Sequence, residues 1–485
     1  MRKAIVIGAG IAGIASAIRL SAKGFDVDVY ESNSYPGGKL TSISVGEFRF
    51  DAGPSLFTLP DLVTELFVLC GEEPKDHFNY SRQEHICNYF WDDGFRYVMP
   101  ADRRALTKSL ASSFEVDESE VQSYLTGSKK KYDLTNSIFL EKSLHKLSTY
   151  LSFDTLKALV QSFKLDLFTT LHGKNKRSFN NKKLVQLFDR YATYNGSSPY
   201  KTSGIMSMIP HLEMELGTYF PFGGMKSISE SLHALAERQG VQFHFDTMVD
   251  EIEVNGGRAK GIIIGKNQIA SDVVVSNMDI FSTYHRLLPK ESQPSKVLNQ
   301  ERSSSALIFY WGVSGKHDEL DLHNILFSND YKNEFEFIFD KKDICDDPTV
   351  YINISSKCNP EDAPEGCENW FVMINTPGDF GQDWDSLIAK VKTKIINKIN
   401  NVLTIDLASK IVAERILDPR LIESKTLSHQ GSLYGTSSNS RYSAFNRHPN
   451  FSNQISNLYF VGGSVHPGGG IPLCLNSAKI VGNLI

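Results

Sequence analysis

The first residues with recognisable chemistry are three glycines near the amino terminus, spaced as G-x-G-x-x-G. They are Gly8, Gly10 and Gly13, and an acidic residue, Glu31, follows them. In this pattern the first glycine permits a tight turn, the second lets the backbone approach a pyrophosphate, and the third lets a helix pack closely on a strand. A carboxylate about twenty residues later can accept hydrogen bonds from ribose hydroxyls. The spacing therefore predicts a dinucleotide site.

A strand, a turn and a helix must hold this site in place. Residues 3–7 form a short apolar run typical of a strand buried on both faces, and residues 26–30 predict a second strand. The alanine-rich stretch 11–23 predicts a helix that ends at Gly24, with bound phosphates at its N-terminus. The alternative is a signal peptide, since two basic residues precede an apolar stretch. We favour the strand, turn and helix, because the chain after them continues the same unit.

A second and a third glycine turn distinguish between two cofactors. The first motif alone leaves NAD and FAD open. Gly37 and Gly38, followed by Lys39, fit a longer cofactor whose ribityl chain and phosphates need another contact with bare backbone. Residues 53–55 add a third glycine-bearing turn, which we place near the flavin end. We therefore predict FAD.

Glycines also crowd the carboxyl terminus, where five fall between positions 462 and 470. They follow a predicted strand at 457–461, and Pro472 suits the first turn of a final helix, where a missing N–H costs nothing. The N-terminus of such a helix is suited to face the pyrimidine side of a flavin and to stabilise its anionic reduced form. The alternative is a glycine-rich loop without a ligand.

The overall composition excludes several classes of protein. The chain has 485 residues, of which 41% are hydrophobic and 22% charged, so a large core is expected and wholesale disorder is not. No run approaches the ~18 uninterrupted apolar residues of a membrane-spanning helix. The net charge of −5 argues against nucleic acid as a partner. The six cysteines show no zinc-like spacing, so we predict no metal and reduced thiols in a cytoplasmic protein.

The middle of the chain predicts a region inserted into the cofactor domain. Residues 88–99 read as a hairpin across Asp93 and Gly94, and a helical region follows at 104–190. Within it, the stretch 125–190 carries thirteen Lys or Arg and five Asp or Glu among many apolar residues. Such a segment is typical of a membrane-surface helix or, equally, of a core-facing stripe with a solvated basic back.

Elements typical of the cofactor domain then return. A helix is predicted at 227–239 with Ser227 and Glu230 as a capping box, followed by strands at 241–245 and 272–276. Between these two strands we predict a hairpin of residues 249–254 and 259–264. A mostly antiparallel sheet and a helix are predicted next, at 306–313, 323–328, 335–340, 349–355 and 370–375 for the strands and 384–401 for the helix.

Motifs along the whole chain carry a family resemblance. They are AIVIGAGIAGIASAIRL with Glu31 and PGGK, FDAGPSLFTLP at 50–60, RYATYNGSSPY at 190–200, IPHLEMELGTYFPFGGM at 209–225, VVVSNMD at 273–279, GSLYGTSSNS at 431–440 and LYFVGGSVHPGGGIP at 458–472. The chain resembles the carotenoid desaturases, the bacterial-type phytoene desaturases and their relatives among the FAD-dependent amine oxidoreductases. FDAGPSLF and DPTVYINISSKC are more similar to hydroxycarotenoid 3,4-desaturases.

The resemblance implies an α/β fold with a Rossmann-type FAD-binding domain of the two-segment flavoprotein kind. An inserted α+β substrate domain would combine an antiparallel sheet with a helical, membrane-facing region. The expected segments are 1–80, 205–285 and 420–485 for the FAD-binding domain, and 81–204 and 286–419 for the substrate region, with 104–190 as its helical part. The expected cofactor-binding residues are Gly8, Ala9, Gly10, Ala12, Gly13, Glu31, Gly38, Lys39, Gly53, Pro54, Ser55, Val249, Gly462, Gly463, Ile471 and Pro472.

The implied reaction extends the conjugation of an acyclic carotenoid. The similarity to hydroxycarotenoid 3,4-desaturases implies that the substrate carries a 1-hydroxyl group and that the new double bond forms at C-3,4. Oxidised FAD would take a hydride from an allylic carbon while a proton leaves its neighbour, with oxygen or a quinone as the electron acceptor. Glu213 and Arg190 are the candidate catalytic residues, and the alternative for both is a structural ion pair. Peripheral contact with the inner face of the membrane would give access to the lipophilic substrate.

Four other functions remain open at this point. The chain is a phytoene desaturase if its substrate is the unhydroxylated precursor. A carotene isomerase or a saturase of the same fold would use flavin without extending conjugation. Prenyl-binding proteins of the GDP-dissociation-inhibitor type share the fold and bind lipid without catalysis, but intact flavin motifs at both ends of this chain argue against that interpretation.

Overall fold

The computed structural model describes residues 2–136, 141–146, 149, 165–440 and 443–485, and the structural statements below concern these residues. The strands are β1 (Lys3–Ile7), β2 (Asp26–Tyr30), β3 (Ser42–Val45), β4 (Phe48–Asp51), β5 (Tyr80–Arg82), β6 (His85–Phe90), β7 (Arg96–Pro100), β8 (Tyr219–Pro221), β9 (Gln242–His244), β10 (Glu251–Asn255), β11 (Arg258–Ile264), β12 (Asn267–Ala270), β13 (Val273–Ser276), β14 (Ser305–Ser314), β15 (His323–Leu326), β16 (Val350–Asn353), β17 (Cys367–Thr376), β18 (Ile411–Leu417) and β19 (Leu458–Phe460). The α-helices are α1 (Ile11–Ser21), α2 (Asp61–Leu69), α3 (Arg103–Phe114), α4 (Glu118–Thr135), α5 (Leu171–Ser178), α6 (Lys182–Asp189), α7 (Ile209–Met214), α8 (Lys226–Arg238), α9 (Ile280–Ser282), α10 (Ser295–Leu298), α11 (Tyr331–Glu336), α12 (Trp384–Leu403), α13 (Leu407–Lys410), α14 (Pro419–Thr426), α15 (Ser443–Asn446) and α16 (Ile471–Leu484).

A five-stranded sheet carries the amino-terminal glycine motif at its centre. Its order is β19-β13-β1-β2-β9, and every neighbouring pair is parallel. The central strand is buried on both faces, as its continuous apolar run predicts, and α1, α8 and α16 contribute side chains to the same core. The strands come from the first, middle and last parts of the chain, as in the predicted Rossmann-type domain. The residue boundaries given for the two units stay a prediction.

A seven-stranded sheet forms the second layer of the molecule. Its order is β18-β14-β17-β16-β15-β6-β7, and all neighbours are antiparallel except β15 and β6. The predicted hairpin across Asp93 and Gly94 is confirmed, since it joins β6 and β7. Trp311 and Trp370 are fully buried between the sheet and the amphipathic helix α12. Strands β12 and β18 were not predicted, because both are edge strands with mostly polar or half-exposed side chains.

The helical region predicted at 104–190 is partly described. Helices α3, α4, α5 and α6 fall within it. Much of the predicted apolar stripe lies outside the described residues, namely Phe139, Leu140, Leu147, Leu151, Phe153, Leu156, Val160 and Phe163. Among the residues that the structure describes, no helix combines the length and the apolarity needed to cross a membrane.

The strand predicted at 335–340 is wrong, because these residues are helical. They complete α11 and continue into a π-helical turn, Phe337–Lys341. The Asp330 side chain caps the start of α11 by accepting a hydrogen bond from the Asn333 N–H. The buried side chains Phe335, Ile338 and Phe339 follow helical spacing. The alternating phenylalanines match the two-residue periodicity of a strand, which is why a strand was predicted here.

The capping box predicted at Ser227 and Glu230 is also absent. Helix α8 begins at Lys226, Ser227 Oγ donates to a preceding carbonyl, and Glu230 forms an ion pair with Lys226. The Asp51 carboxylate, far away in sequence, instead accepts from the backbone N–H of Met225 at 2.9 Å and of Lys226 at 3.3 Å. The start of α8 is thus capped by a tertiary contact from Asp51 and not by the local pair that the sequence predicted.

Candidate functional site

One cavity of about 840 Å³ is lined by residues from both sheets. Most of the predicted cofactor residues lie on its wall. They are Gly8, Gly10, Ala12, Glu31, Gly38, Lys39, Gly53, Pro54, Ser55, Val249, Gly462, Gly463, Ile471 and Pro472. Ala9 and Gly13 do not line the cavity but are buried next to it. The structure therefore brings together glycine motifs from opposite ends of the chain, and their contacts with a cofactor stay a prediction.

The Asn277 side chain lies where these glycine motifs meet. A Cβ atom at Gly10 would lie 2.6 Å from Asn277 Nδ2, and one at Gly462 would lie 2.8 Å from Asn277 Oδ1. A Cβ at Gly13 would lie only 2.0 Å from the Gly8 carbonyl oxygen. These positions therefore require glycine for packing alone. Asn277 follows β13 within the VVVSNMD motif, so the motif was visible in the sequence while the residue's role was not.

Two helix N-termini open on this cavity. Helix α1 is preceded by Gly10 and α16 by Gly470, and no described side chain caps either helix. The first N–H groups of an α-helix have no partner within the helix, so they are available to an anion. Bare backbone at the glycines and free N–H groups at two helix ends fit the pyrophosphate and the ring of FAD.

Glu31 is held rigidly at the end of β2. Its Oε2 accepts from the Ala9 N–H at 2.8 Å, and its Oε1 accepts from the backbone and side-chain N–H groups of Asn33 at 2.8 and 2.7 Å. The Ser32 hydroxyl also donates to Oε1 at 3.3 Å, so Oε1 is fully engaged. Oε2 accepts only from Ala9 among the described residues, and a carboxylate oxygen accepts about two hydrogen bonds, so Oε2 retains capacity for a ribose hydroxyl. The backbone N–H groups of Ala9 and Asn33 therefore fix the orientation of the Glu31 carboxylate.

Lys39 joins the second glycine turn to the carboxyl-terminal segment. Its Nζ donates to the carbonyl oxygens of Ser432 at 3.0 Å and Leu433 at 3.3 Å. Burial lowers the pKa of Lys39 to about 8, although Asp279 opposes the shift. The third turn packs against the same residue, because a Cβ at Gly53 would lie 2.1 Å from the Lys39 carbonyl oxygen.

The candidate catalytic residues Glu213 and Arg190 form a buried ion pair on the cavity wall. Tyr194 donates to Glu213 Oε2, and Tyr191 donates to Oε1 at 2.9 Å. Arg190 Nε also donates to the Tyr89 hydroxyl at 2.9 Å. Burial raises the pKa of Glu213. Burial alone would lower the pKa of Arg190, but the combined attraction of Glu213, Tyr89 and Tyr191 raises it well above its usual value. The polar groups of the pair are satisfied by one another and by tyrosines.

Other polar residues on the wall were not singled out from the sequence. Tyr434 lies against Gly469, where a Cβ would come within 2.7 Å of the Tyr434 Cα. Arg447 donates to the Thr436 carbonyl at 2.7 Å, and burial lowers its pKa to about 10. The GSLYGTSSNS motif contained a signal for Tyr434. Two further residues on the wall, His323 and Tyr351, lie on the paired strands β15 and β16. Tyr351 falls within the stretch DPTVYINISSKC, whereas none of the motifs contains His323.

The parallel sheet, the glycine turns and the uncapped helix ends define a flavin-dependent oxidoreductase. A family model described as flavin containing amine oxidoreductase matches residues 11–306. The chain belongs to this family, and its cofactor is FAD.

Two curated relatives match along nearly the whole chain. One is a 1-hydroxycarotenoid 3,4-desaturase from Flavobacterium sp., 54% identical over 485 residues, which are 100% of this chain and 99% of the relative. Another is a 4,4'-diapolycopene oxygenase from Methylomonas sp, 30% identical over 99% of this chain and 97% of the relative. The 54% sequence identity over the full chain confirms the resemblance to the carotenoid desaturase family.

Solved structures with low sequence identity share the fold. Wild-type putrescine oxidase bound to putrescine is 14% identical with a TM-score of 0.63, covering 100% of this chain and 97% of that one. A RAB GDI from Plasmodium falciparum is 13% identical with a TM-score of 0.54, covering 100% and 98%. At these identities the similarity concerns the fold alone, so it does not distinguish catalysis from lipid binding.

The Gly13→Ala variant should lose FAD. The added methyl must displace the Gly8 carbonyl, and overpacking of this kind costs about 1–3 kcal/mol, which would weaken binding by about 5- to 150-fold. Flavin absorbance per protein after gel filtration measures the effect. Gly127→Ala is the matched control, since Gly127 is also helical and its Cβ would meet nothing within 4 Å. Equal flavin content in both variants would contradict the packing argument.

The Glu213→Ala variant should destabilise the holoprotein by about 3–5 kcal/mol, because it leaves the Arg190 charge buried without its partner. Thermal unfolding followed by circular dichroism measures the change. Glu319→Ala is the control, since its ion pair with Arg96 is about half exposed and such pairs contribute about 0–1 kcal/mol. If the two variants unfold at the same temperature, the ion pair has no structural role.

Proposed function

We propose that the chain is an FAD-dependent desaturase that acts on a 1-hydroxylated acyclic carotenoid at C-3,4. The observation that carries the proposal is that one cavity runs from the glycine motifs to a mostly apolar wall on the seven-stranded sheet. The 54% identity to a 1-hydroxycarotenoid 3,4-desaturase supports the substrate class. A long polyene offers few polar groups, so an apolar chamber must position it by shape.

The residues of the chain divide the work between holding the cofactor and orienting the substrate. Gly10, Glu31 and Gly462 belong to the motifs that would hold FAD, which when bound supplies the two-electron oxidant that accepts a hydride. Apolar side chains of the second sheet would exclude water and align the reacting C–H bond, among them Ile308, Ile325, Phe371 and Met373. The Arg190–Glu213 pair would form a polar part of the wall next to Tyr89 on β6.

Product analysis in a pigment-free host tests this proposal. The host would be supplied with phytoene, lycopene or a 1-hydroxylated acyclic carotene, and the Gly13→Ala variant serves as the inactive control. We expect the 1-hydroxylated substrate to lose two hydrogens and to absorb at longer wavelength, because the new double bond extends the conjugation. Extracts would be examined by mass spectrometry and absorption spectroscopy.

Other outcomes of the same assay point to the other functions. Conversion of phytoene alone indicates a phytoene desaturase, and unchanged or increased hydrogen content indicates an isomerase or a saturase. Gain of oxygen indicates an oxygenase, the activity named for the relatives at 30% identity. A colourless protein that cannot be reconstituted with FAD and changes no pigment would overturn the proposal and favour lipid binding.

We also propose that the protein works at the inner face of the cytoplasmic membrane and passes electrons to oxygen or a quinone. The support is a lipophilic substrate together with a basic and apolar surface. Phe168 is 83% exposed, and Lys176 and Arg177 on α5, a few residues along the chain, are exposed as well. Exposed aromatic and basic side chains within one segment are typical of contact with anionic lipid.

Flotation with anionic liposomes tests the membrane proposal. At low salt the wild type should float with the vesicles, and salt should weaken binding because it screens the basic residues. Phe168→Ala should reduce the floating fraction. Phe222→Ala is the matched control, since Phe222 is 62% exposed but lies outside the basic stretch. Wild-type protein that stays at the bottom at low salt would refute membrane contact.

A further inference from the structure

A chain of polar side chains crosses a mostly apolar part of the sheet wall of the cavity. The Tyr351 hydroxyl, on β16, lies 2.8 Å from His323 Nδ1 on β15 and 2.8 Å from Ser55 Oγ. All three residues line the cavity. Around them the wall is formed by apolar residues such as Ile86 and Ile325. A polar chain in such a place is costly unless it binds a polar group, because unpaired polar atoms lose hydration without compensation.

His323 has an unsatisfied nitrogen. The residue is only 4% exposed, and its Nε2 has no hydrogen-bond partner among the described residues. Asn353 Nδ2 donates to the Leu322 carbonyl at 2.9 Å and also lies 3.3 Å from His323 Nδ1. These contacts make Nδ1 the acceptor and leave the proton on Nε2. Burial lowers the pKa of His323 to about 4, so the ring is neutral and offers one N–H donor.

The position of this donor matches the chemistry of the proposed substrate. In a 1-hydroxylated carotenoid desaturated at C-3,4, the hydroxyl oxygen is separated from C-3 by three bonds of about 1.5 Å each. A group that recognises the hydroxyl must therefore lie close to the reacting carbons and hence to the flavin. Ser55, at one end of the polar chain, belongs to the glycine turn that we expect near the flavin.

The other polar cluster on the wall is less suited to this task. Arg190 and Glu213 pair with each other, and the neighbouring tyrosine hydroxyls donate to the same carboxylate or accept from the same guanidinium. These atoms already have partners. His323 Nε2, in contrast, gains its first hydrogen bond when a hydroxyl oxygen is near.

We propose that His323 and Tyr351 form the site that binds the C-1 hydroxyl of the substrate and thereby sets C-3 and C-4 against the flavin. This inference rests on the proposed function and goes further by assigning the residues that select a hydroxylated substrate. An unhydroxylated carotene would press apolar atoms against the unpaired N–H, and a site built for a hydroxyl discriminates strongly against an analogue that lacks it. Both residues act by positioning the substrate.

The test compares two substrates on the flavin-loaded enzyme, a 1-hydroxylated carotene and its counterpart without the hydroxyl. The measured quantity is the ratio of their kcat/KM values. We expect the wild type to favour the hydroxylated substrate, and His323→Leu and Tyr351→Phe to lower the ratio about tenfold, the usual effect of losing one such hydrogen bond. His323→Gln, which keeps a side-chain N–H donor, should retain most of the preference.

Tyr97→Phe is the matched control, because Tyr97 is a buried tyrosine of the same sheet that does not line the cavity. Its ratio should equal that of the wild type. If His323→Leu does not retain flavin, Tyr351→Phe decides, since it keeps the ring and removes only the hydroxyl. An unchanged ratio in the flavin-loaded variants overturns the inference and leaves the proposed function intact. Failure of the wild type on both substrates overturns the proposed function itself.

Discussion

The close approach of backbone around Asn277 is the constraint on which the cofactor site depends. The side chain fills the space beside Gly10 and Gly462, which lie near opposite ends of the chain. Any larger residue at either glycine would collide with it. The segments that contribute β1, β13 and β19 can therefore meet in one parallel sheet only if these positions remain bare. The resulting surface presents two uncapped helix N-termini to one ligand.

The second sheet turns this cofactor surface into a chamber for an apolar substrate. One face of the sheet packs its aromatic side chains against α12. Part of the other face lines the cavity, through side chains such as Ile308 and Phe371. Few polar groups interrupt that face. Tyr310 on β14 is satisfied within the protein, since its hydroxyl donates to the Ala52 carbonyl at 2.7 Å. His323 Nε2, in contrast, has no hydrogen-bond partner among the described residues. A mostly apolar wall with an open donor at His323 suits a polyene that carries one hydroxyl.

Most elements of the cofactor domain could be predicted from local sequence patterns. The remaining features depend on contacts between segments that are distant in the sequence. Gly10 sits in a motif whose spacing has a direct physical cause, so its strand, turn and helix were predictable. The role of Asn277 depends on packing between segments that only the folded chain brings together. The capping of α8 by Asp51 is equally non-local. A strand was wrongly predicted at 335–340 because apolar and polar residues alternate there. In the folded chain, the Asp330 cap and packing in the core favour a helix. His323 had no local signal, since its partner lies on another strand.

The central claim is that one cavity brings bound FAD and a 1-hydroxylated carotenoid into reacting contact. Anaerobic mixing of the flavin-loaded protein with this substrate in a stopped-flow spectrophotometer tests it most directly. The account predicts that the oxidised-flavin absorbance disappears at the same rate as the pigment absorption moves to longer wavelength. A pigment shift while the flavin stays oxidised, or no change in either chromophore, would contradict it.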